Sequence, residues 1–196
     1  MQEWHGRRSI RLDGYDYSSN GMYFITICVQ HRELLFGEIA DGEMKLNQAG
    51  QMIEKWWHEL SKKFPNVEID EHIIMPNHFH GVIAIVGADL CVCPNELSEQ
   101  TGIRNEEQGA HAGAPLQKPA VGDLVQWFKT MTTNEYIHGV KEHHWEPFQG
   151  KLWQRNYYEH VVRNESSLNS IRSYIQANPA NWTQDSENPA NVRQKV

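Results

Sequence analysis

One segment limits the fold of this chain more than any other: residues 78–86, HFHGVIAIV. After Gly81 every residue is apolar, so a strand built from this run must be buried on both faces, as at the centre of a sheet. Residues 23–30, YFITICVQ, are aromatic and β-branched and predict a second strand. Val67–Met75 alternates, which places Val67, Ile69, Ile73 and Met75 on one side of a third. Pro76 and Asn77 then turn the chain back into the central strand.

Helical periodicity fills the gaps. Residues 34–46 hold Gly37, Asp41 and Gly42 between short apolar pieces and read as a hairpin. From Asn47, a candidate cap, Ala49, Ile53, Trp56, Leu60 and Phe64 recur at helical steps until Pro65 and Asn66. A second helix is expected over residues 123–137, with Leu124, Trp127, Phe128 and Met131 in phase. Residues 151–154 read as a short last strand. Residues 157–163 read as helical, and 168–176 as a continuation after a break near Asn164, ended by Asn178-Pro179. The hairpin aside, the order is βαββαβ with an added terminal helix. This is the pattern of a ferredoxin-like α+β fold, an antiparallel sheet with helices on one face.

The length of 196 residues suits one domain, and 39% hydrophobic with 22% charged residues suits a packed core. Residues 1–182 are expected to form that domain. Residues 87–119 are polar, rich in Gly, Pro, Glu and Gln, and aperiodic. They read either as a flexible insertion beside a site or as a linker without a role. Residues 183–196 read as a loosely held tail. Three cysteines make no secreted disulfide framework, and Cys91 and Cys93 read as exposed thiols. No signal-like start and no apolar run near eighteen residues is seen, so a cytoplasmic protein without membrane contact is expected.

The formal net charge of −7 counts against a broadly basic nucleic-acid binder. Binding needs only a local patch, and Arg7, Arg8 and Arg11 cluster, as do Lys151, Arg155, Arg163 and Arg172 along a later segment. Scattered solvated charge is the plainer account of the same residues. Seven Trp and seven Tyr serve either a core or the stacking of bases.

His78 and His80 leave one face of their strand together, as residues i and i+2 do, and are spaced to share a divalent cation. A bare His-x-His is weak evidence, because two imidazoles also line an ordinary polar sheet face. A third ligand is needed. His160 is the candidate, three residues from Tyr157 on the expected helix, with Glu71, His72, His143 and His144 as alternatives. On that helix Tyr157 would face the sheet and Tyr158 would turn about 100° away. A phenol with a pKa of about 10 is a poor nucleophile at neutral pH, and a metal on the electrophile is one remedy. Tyr157 as a plain core aromatic is the competing account.

Three motifs in order carry a family resemblance. MPNHFHGVI at 75–83 resembles the HUH motif of single-tyrosine transposases. WQRNYYEHVVRNE at 153–165 resembles the tyrosine segment of the REP-associated tyrosine transposases, and YIQANPANW at 174–182 the sequence that follows it. The resemblance runs through the chain apart from the 87–119 insertion. It implies an enzyme, a metal-dependent tyrosine DNA nickase of the transposase type. His78, His80 and His160 would hold Mg²⁺ or Mn²⁺. Tyr157 would attack a scissile phosphate of single-stranded, hairpin-bearing DNA, forming a 5′-phosphotyrosine and freeing a 3′-hydroxyl. Arg7, Arg8, Arg11, Arg155 and Arg163 are expected on DNA phosphates, and the assembly is expected to be a monomer or homodimer. Two other functions compete: a domesticated, non-catalytic DNA-binding module of the same fold, and a metal hydrolase using water.

Overall fold

The computed structural model describes residues 16–87 and 119–192. Arg7, Arg8, Arg11, Cys91, Cys93 and most of the expected insertion lie outside the described residues. Four strands form an antiparallel sheet: β1 (Gly21–Cys28), β4 (Val67–Met75), β5 (His78–Ile85) and β6 (Tyr158–Val162), in the order β4-β5-β1-β6. Helices α1 (Gln48–Lys63) and α2 (Val121–Glu142) connect them, giving the βαββαβ order and the ferredoxin-like arrangement expected from the sequence. The hairpin is β2 (Gly37–Ala40) with β3 (Glu43–Leu46), closed through Asp41 and Gly42, both at positive φ. That backbone suits a tight two-residue turn with glycine in second place.

The sheet divides the molecule into two unequal cores. On one face Tyr23, Ile25 and Ile27 of β1 and Phe79, Ile83 and Ile85 of β5 pack against Met52, Ile53, Trp57 and Leu60 of α1 and Leu124, Val125 and Phe128 of α2. Gly81 admits this packing: a Cβ there would stand 2.6 Å from the Trp57 ring. On the other face lies a smaller cluster of Phe24, Val82, Leu168 and Ile175 beneath helix α3 (Glu165–Ala177). Helices α1 and α2 therefore cover one face, as expected, and the added terminal helix α3 covers the other. The Asn47 side chain accepts from the Gly50 amide at 2.9 Å, capping α1 as expected.

Three local expectations are corrected. Residues 158–162 form the strand β6, not a helix, and pair with β1 from Tyr158 opposite Thr26 to Val162 opposite Met22. The sequence YEHVV has strand-forming side chains, and a free edge of β1 supplies the partner that periodicity could not reveal. Lys151–Gln154 contributes only a single bridge, Trp153 to Val29, rather than the sheet's last strand. Also, β4 carries a bulge between Ile69 and His72. Val67 and Ile69 therefore face α1, whereas Ile73 and Met75 sit opposite His80 and His78 on the α3 side.

Beyond α3 the chain runs through a turn at Trp182–Gln184 and a short final helix, Pro189–Val192. The expected loose tail begins here, yet its described part is docked. Arg32 pairs with Glu187 at 2.9 Å, and the Asn77 amide donates to the Glu187 carbonyl at 2.8 Å.

Candidate functional site

His78 and His80 project from the α3 side of β5, and their ring centroids are 4.6 Å apart. Both are almost fully buried. Each ring is held through Nδ1. His78 Nδ1 lies 2.9 Å from Asn77 Oδ1, and His80 Nδ1 lies 2.8 Å from Thr26 Oγ1. The Asn77 amide nitrogen donates to the carbonyls of Arg32 and Glu187, so its oxygen must face His78 and take the Nδ1 proton. The lone pair of His78 then sits on Nε2, a buried atom with no hydrogen-bond partner.

Electrostatics push the same way. Burial drives the His78 pKa down to about 3. Burial, then the neighbouring His78, holds His80 well below the usual imidazole range. Both rings are neutral at physiological pH, the form in which imidazole binds a metal. One carboxylate stands near. Asp185 Oδ2 lies 3.7 Å from His78 Nε2, and burial raises its carboxyl above the usual range. Asn178, closing α3, is buried with its Oδ1 lacking a hydrogen-bond partner. Two neutral imidazoles, one with a carboxylate oxygen beside it, are donors of the kind a divalent cation takes.

Among the described residues, a tyrosine of α3 meets His80 directly. The Tyr174 hydroxyl is 3.4 Å from His80 Nε2, and the two rings meet edge to face at 5.3 Å. Burial raises the Tyr174 pKa, while a hydrogen bond to Asn178 lowers it. Tyr174 and Asn178 are four residues apart, so the helix presents both toward the histidines. A cavity of about 430 Å³ opens here, lined by Thr26, His80, Tyr157, Tyr158, Tyr174 and Asp185 among others. Cys28 also lines it, and burial pushes its thiol up to about 12, which leaves it unreactive.

The expected site residues are only partly gathered. Tyr157 precedes β6 in irregular chain and packs against the larger core, with Lys129 Nζ 5.5 Å from its ring centre. Lys129 also donates to the carbonyls of Gln154, Arg155 and Asn156, pinning this segment to α2. Tyr157 reaches the rim of the histidine cavity and also lines a larger groove of about 780 Å³ between α2 and residues 148–155. That groove is the roomier of the two, but neither histidine lines it, whereas His80 lines the smaller one. Arg155 lines the groove, and Arg163 is exposed between β6 and α3.

His160 stands opposite Phe24 on β6 and is exposed. It shares the histidine face of the sheet, but β1 separates its strand from β5, about 10 Å across two strand spacings. The helical link between Tyr157 and His160 does not exist, because on extended chain residues i and i+3 point to opposite faces. His72 is opposite Gly81 and so faces α1, away from His80. It belongs to another group: Glu54, His58 and His72 have ligand atoms within 4.8 Å of one another. Thr26, Asn77, Tyr174, Asn178 and Asp185 were missed as site residues. The YIQANP segment, with Tyr and Asn four apart on a helix, carried the signal for two of them.

The comparisons fit this architecture. No family model matches the chain. The fold is shared with the structure of a REP-associated tyrosine transposase bound to a REP hairpin, at a TM-score of 0.52 and 17% identity, covering 93% of this chain and 74% of that one. A crystal structure of a putative transposase from Deinococcus radiodurans matches at a TM-score of 0.44 and 14% identity, over 85% of this chain and 95% of that one. In sequence, an uncharacterized protein of Haemophilus influenzae is 37% identical over 184 residues, 92% of each chain. This chain belongs to the family of that Haemophilus protein.

Proposed function

We propose that this protein is a transposase-like, single-stranded DNA nickase and strand transferase whose nucleophile is Tyr174. The observation that carries the reading is the Tyr174 hydroxyl 3.4 Å from Nε2 of a buried, neutral His80. The fold it shares with a transposase that binds a REP hairpin supports a hairpin-bearing DNA as substrate. Tyr157, the nucleophile expected from the sequence, is not on the helix over the histidines.

His78 Nε2 and His80 Nε2, with Asn178 or Asp185 supplying oxygen, would hold Mg²⁺ or Mn²⁺. That cation, when bound, polarises the scissile phosphate and eases ionisation of a nearby phenol. Asn77 and Thr26 orient the two rings. Tyr174 Oη bonds to the phosphorus as its proton passes to solvent, and the bond to the 3′-oxygen breaks, that oxygen taking a proton from water. The products are a 5′-phosphotyrosine and a free 3′-hydroxyl. Reversal by another 3′-hydroxyl rejoins the strand and restores the tyrosine. Asp185 and Glu187 at the cavity would repel a bare phosphate, so binding is expected to require the cation. Arg155 and Lys151 give the adjoining groove positive charge for the flanking strand.

The test is cleavage of hairpin-bearing oligonucleotides with Mg²⁺ or Mn²⁺, read on denaturing gels for a protein-linked strand. Wild type and Tyr157→Phe are expected to form the adduct, and Tyr174→Phe is not. An adduct that persists in Tyr174→Phe and vanishes in Tyr157→Phe returns the role to Tyr157. Cleavage with no adduct in any variant points to water as nucleophile.

A further inference from the structure

The face of the sheet that carries no proposed chemistry holds a second set of metal-type ligands. Glu54 and His58 are four residues apart on α1, hence neighbours on one side of the helix. His72 comes from β4, immediately past the bulge. Without the extra residue Glu71 would take the place opposite Gly81, and His72 would point to the α3 side. The bulge thus turns His72 toward α1. The ligand atoms of all three lie within 4.8 Å of one another, and the rings of His58 and His72 stand 5.3 Å apart.

We propose that Glu54, His58 and His72 bind Zn²⁺, or a similar divalent transition ion, as a clip between helix α1 and the edge strand β4. Two imidazoles with one carboxylate, and no substrate phosphate to add oxygen donors as at the proposed nuclease site, match the donor preference of Zn²⁺ better than that of Mg²⁺ or Ca²⁺, which favour oxygen. Zinc bonds near 2 Å would draw the three atoms to about 3.3 Å from one another, within reach of side-chain rotation. His72 is preset for this. Rings of Trp57 and Phe79 flank it at 6.0 and 6.2 Å and hold its plane. Burial and the adjacent His58 lower its pKa, favouring the neutral ring. His58 is exposed, so the ion has direct access and a fourth position remains for water. Asp70 also binds Arg172 at 2.6 Å, so the clip would steady the strand on which α3 is anchored.

The inference is independent of the proposed nuclease site, and its test compares proteins in which His78 and His80 are unchanged. Metal-free wild type, His58→Ala and Glu54→Gln are titrated with Zn²⁺ by calorimetry, with bound zinc counted after dialysis. His58→Ala is expected to bind one zinc fewer than wild type and to lose the zinc-dependent rise in Tm, which in wild type should reach roughly 5 °C at saturating metal. Glu54→Gln, which cannot disturb the fold through lost packing, should weaken that site at least about tenfold by removing one anionic ligand. Any zinc at His78 and His80 is common to the three proteins and cancels. Wild type that binds no zinc, or titrations that superimpose across all three, would overturn the proposal.

Discussion

The two faces of one sheet do different work, and β5 makes the contrast residue by residue. Phe79, Ile83 and Ile85 enter the large core under α1 and α2, whereas His78 and His80, on alternate positions, enter a small core of four buried apolar residues under α3. One face binds the fold through apolar area. The other spends its buried positions on two neutral imidazoles, which cost stability unless each polar atom finds a partner. The lesson is that a strand buried on both sides can hold a reactive pair rigidly because its other face supplies the cohesion.

The strongest way to break this comparison is to remove the two functions separately. Tyr174→Phe should reduce strand cleavage by at least about a thousandfold. The ring is 50% exposed, so its urea midpoint should stay close to that of wild type. A large loss of stability would make Tyr174 a structural residue of the small core. Phe79→Ala, on the opposite face and fully buried, should cost about 3–5 kcal/mol in urea unfolding. Its activity should fall only with the folded fraction. Losing much less than that would mean the large core is not what holds the sheet.

The pH profile sharpens the contrast. In metal-free protein both site imidazoles have folded pKa values below the unfolded value of 6.5, with His78 near 3. An unfolded chain therefore takes up protons that the fold refuses. Their contribution is intact above about pH 6.5 and drains as pH falls toward 3, with a slope approaching ~1.4 kcal/mol per pH unit for each ring. Stability that stays flat over pH 6 to about 4 would mean that the rings are hydrated, not buried. The smallest effect belongs to Asn47→Ala. It deletes the α1 cap and a 3.0 Å bond to the Leu35 carbonyl, and should cost about 1 kcal/mol with no change in cleavage per folded molecule.

The larger face was the more legible. Its helices and strands announce themselves by period, and Asn47, the hairpin at Asp41-Gly42 and the central strand all stand where the residues put them. The candidate site was half legible. His78 and His80 needed only the two-residue alternation of a strand. The conformation around Tyr157 is not legible in the same way, because YYEHVV is too short a segment for period to decide between helix and strand. With the helix went the link from Tyr157 to His160.

Local sequence determined element types wherever a long period or a strong turn stated them, together with the shared strand face of His78 and His80. Tertiary structure alone decided what depends on residues far apart. It gave residues 158–162 an edge of β1 to join, made α3 rather than its predecessor the cover of the histidines, and set the β4 bulge that sends His72 to one face and Ile73 to the other. The physical reason is that strand pairing and facing are settled by which surfaces can be buried together, and that sum is taken over the whole chain.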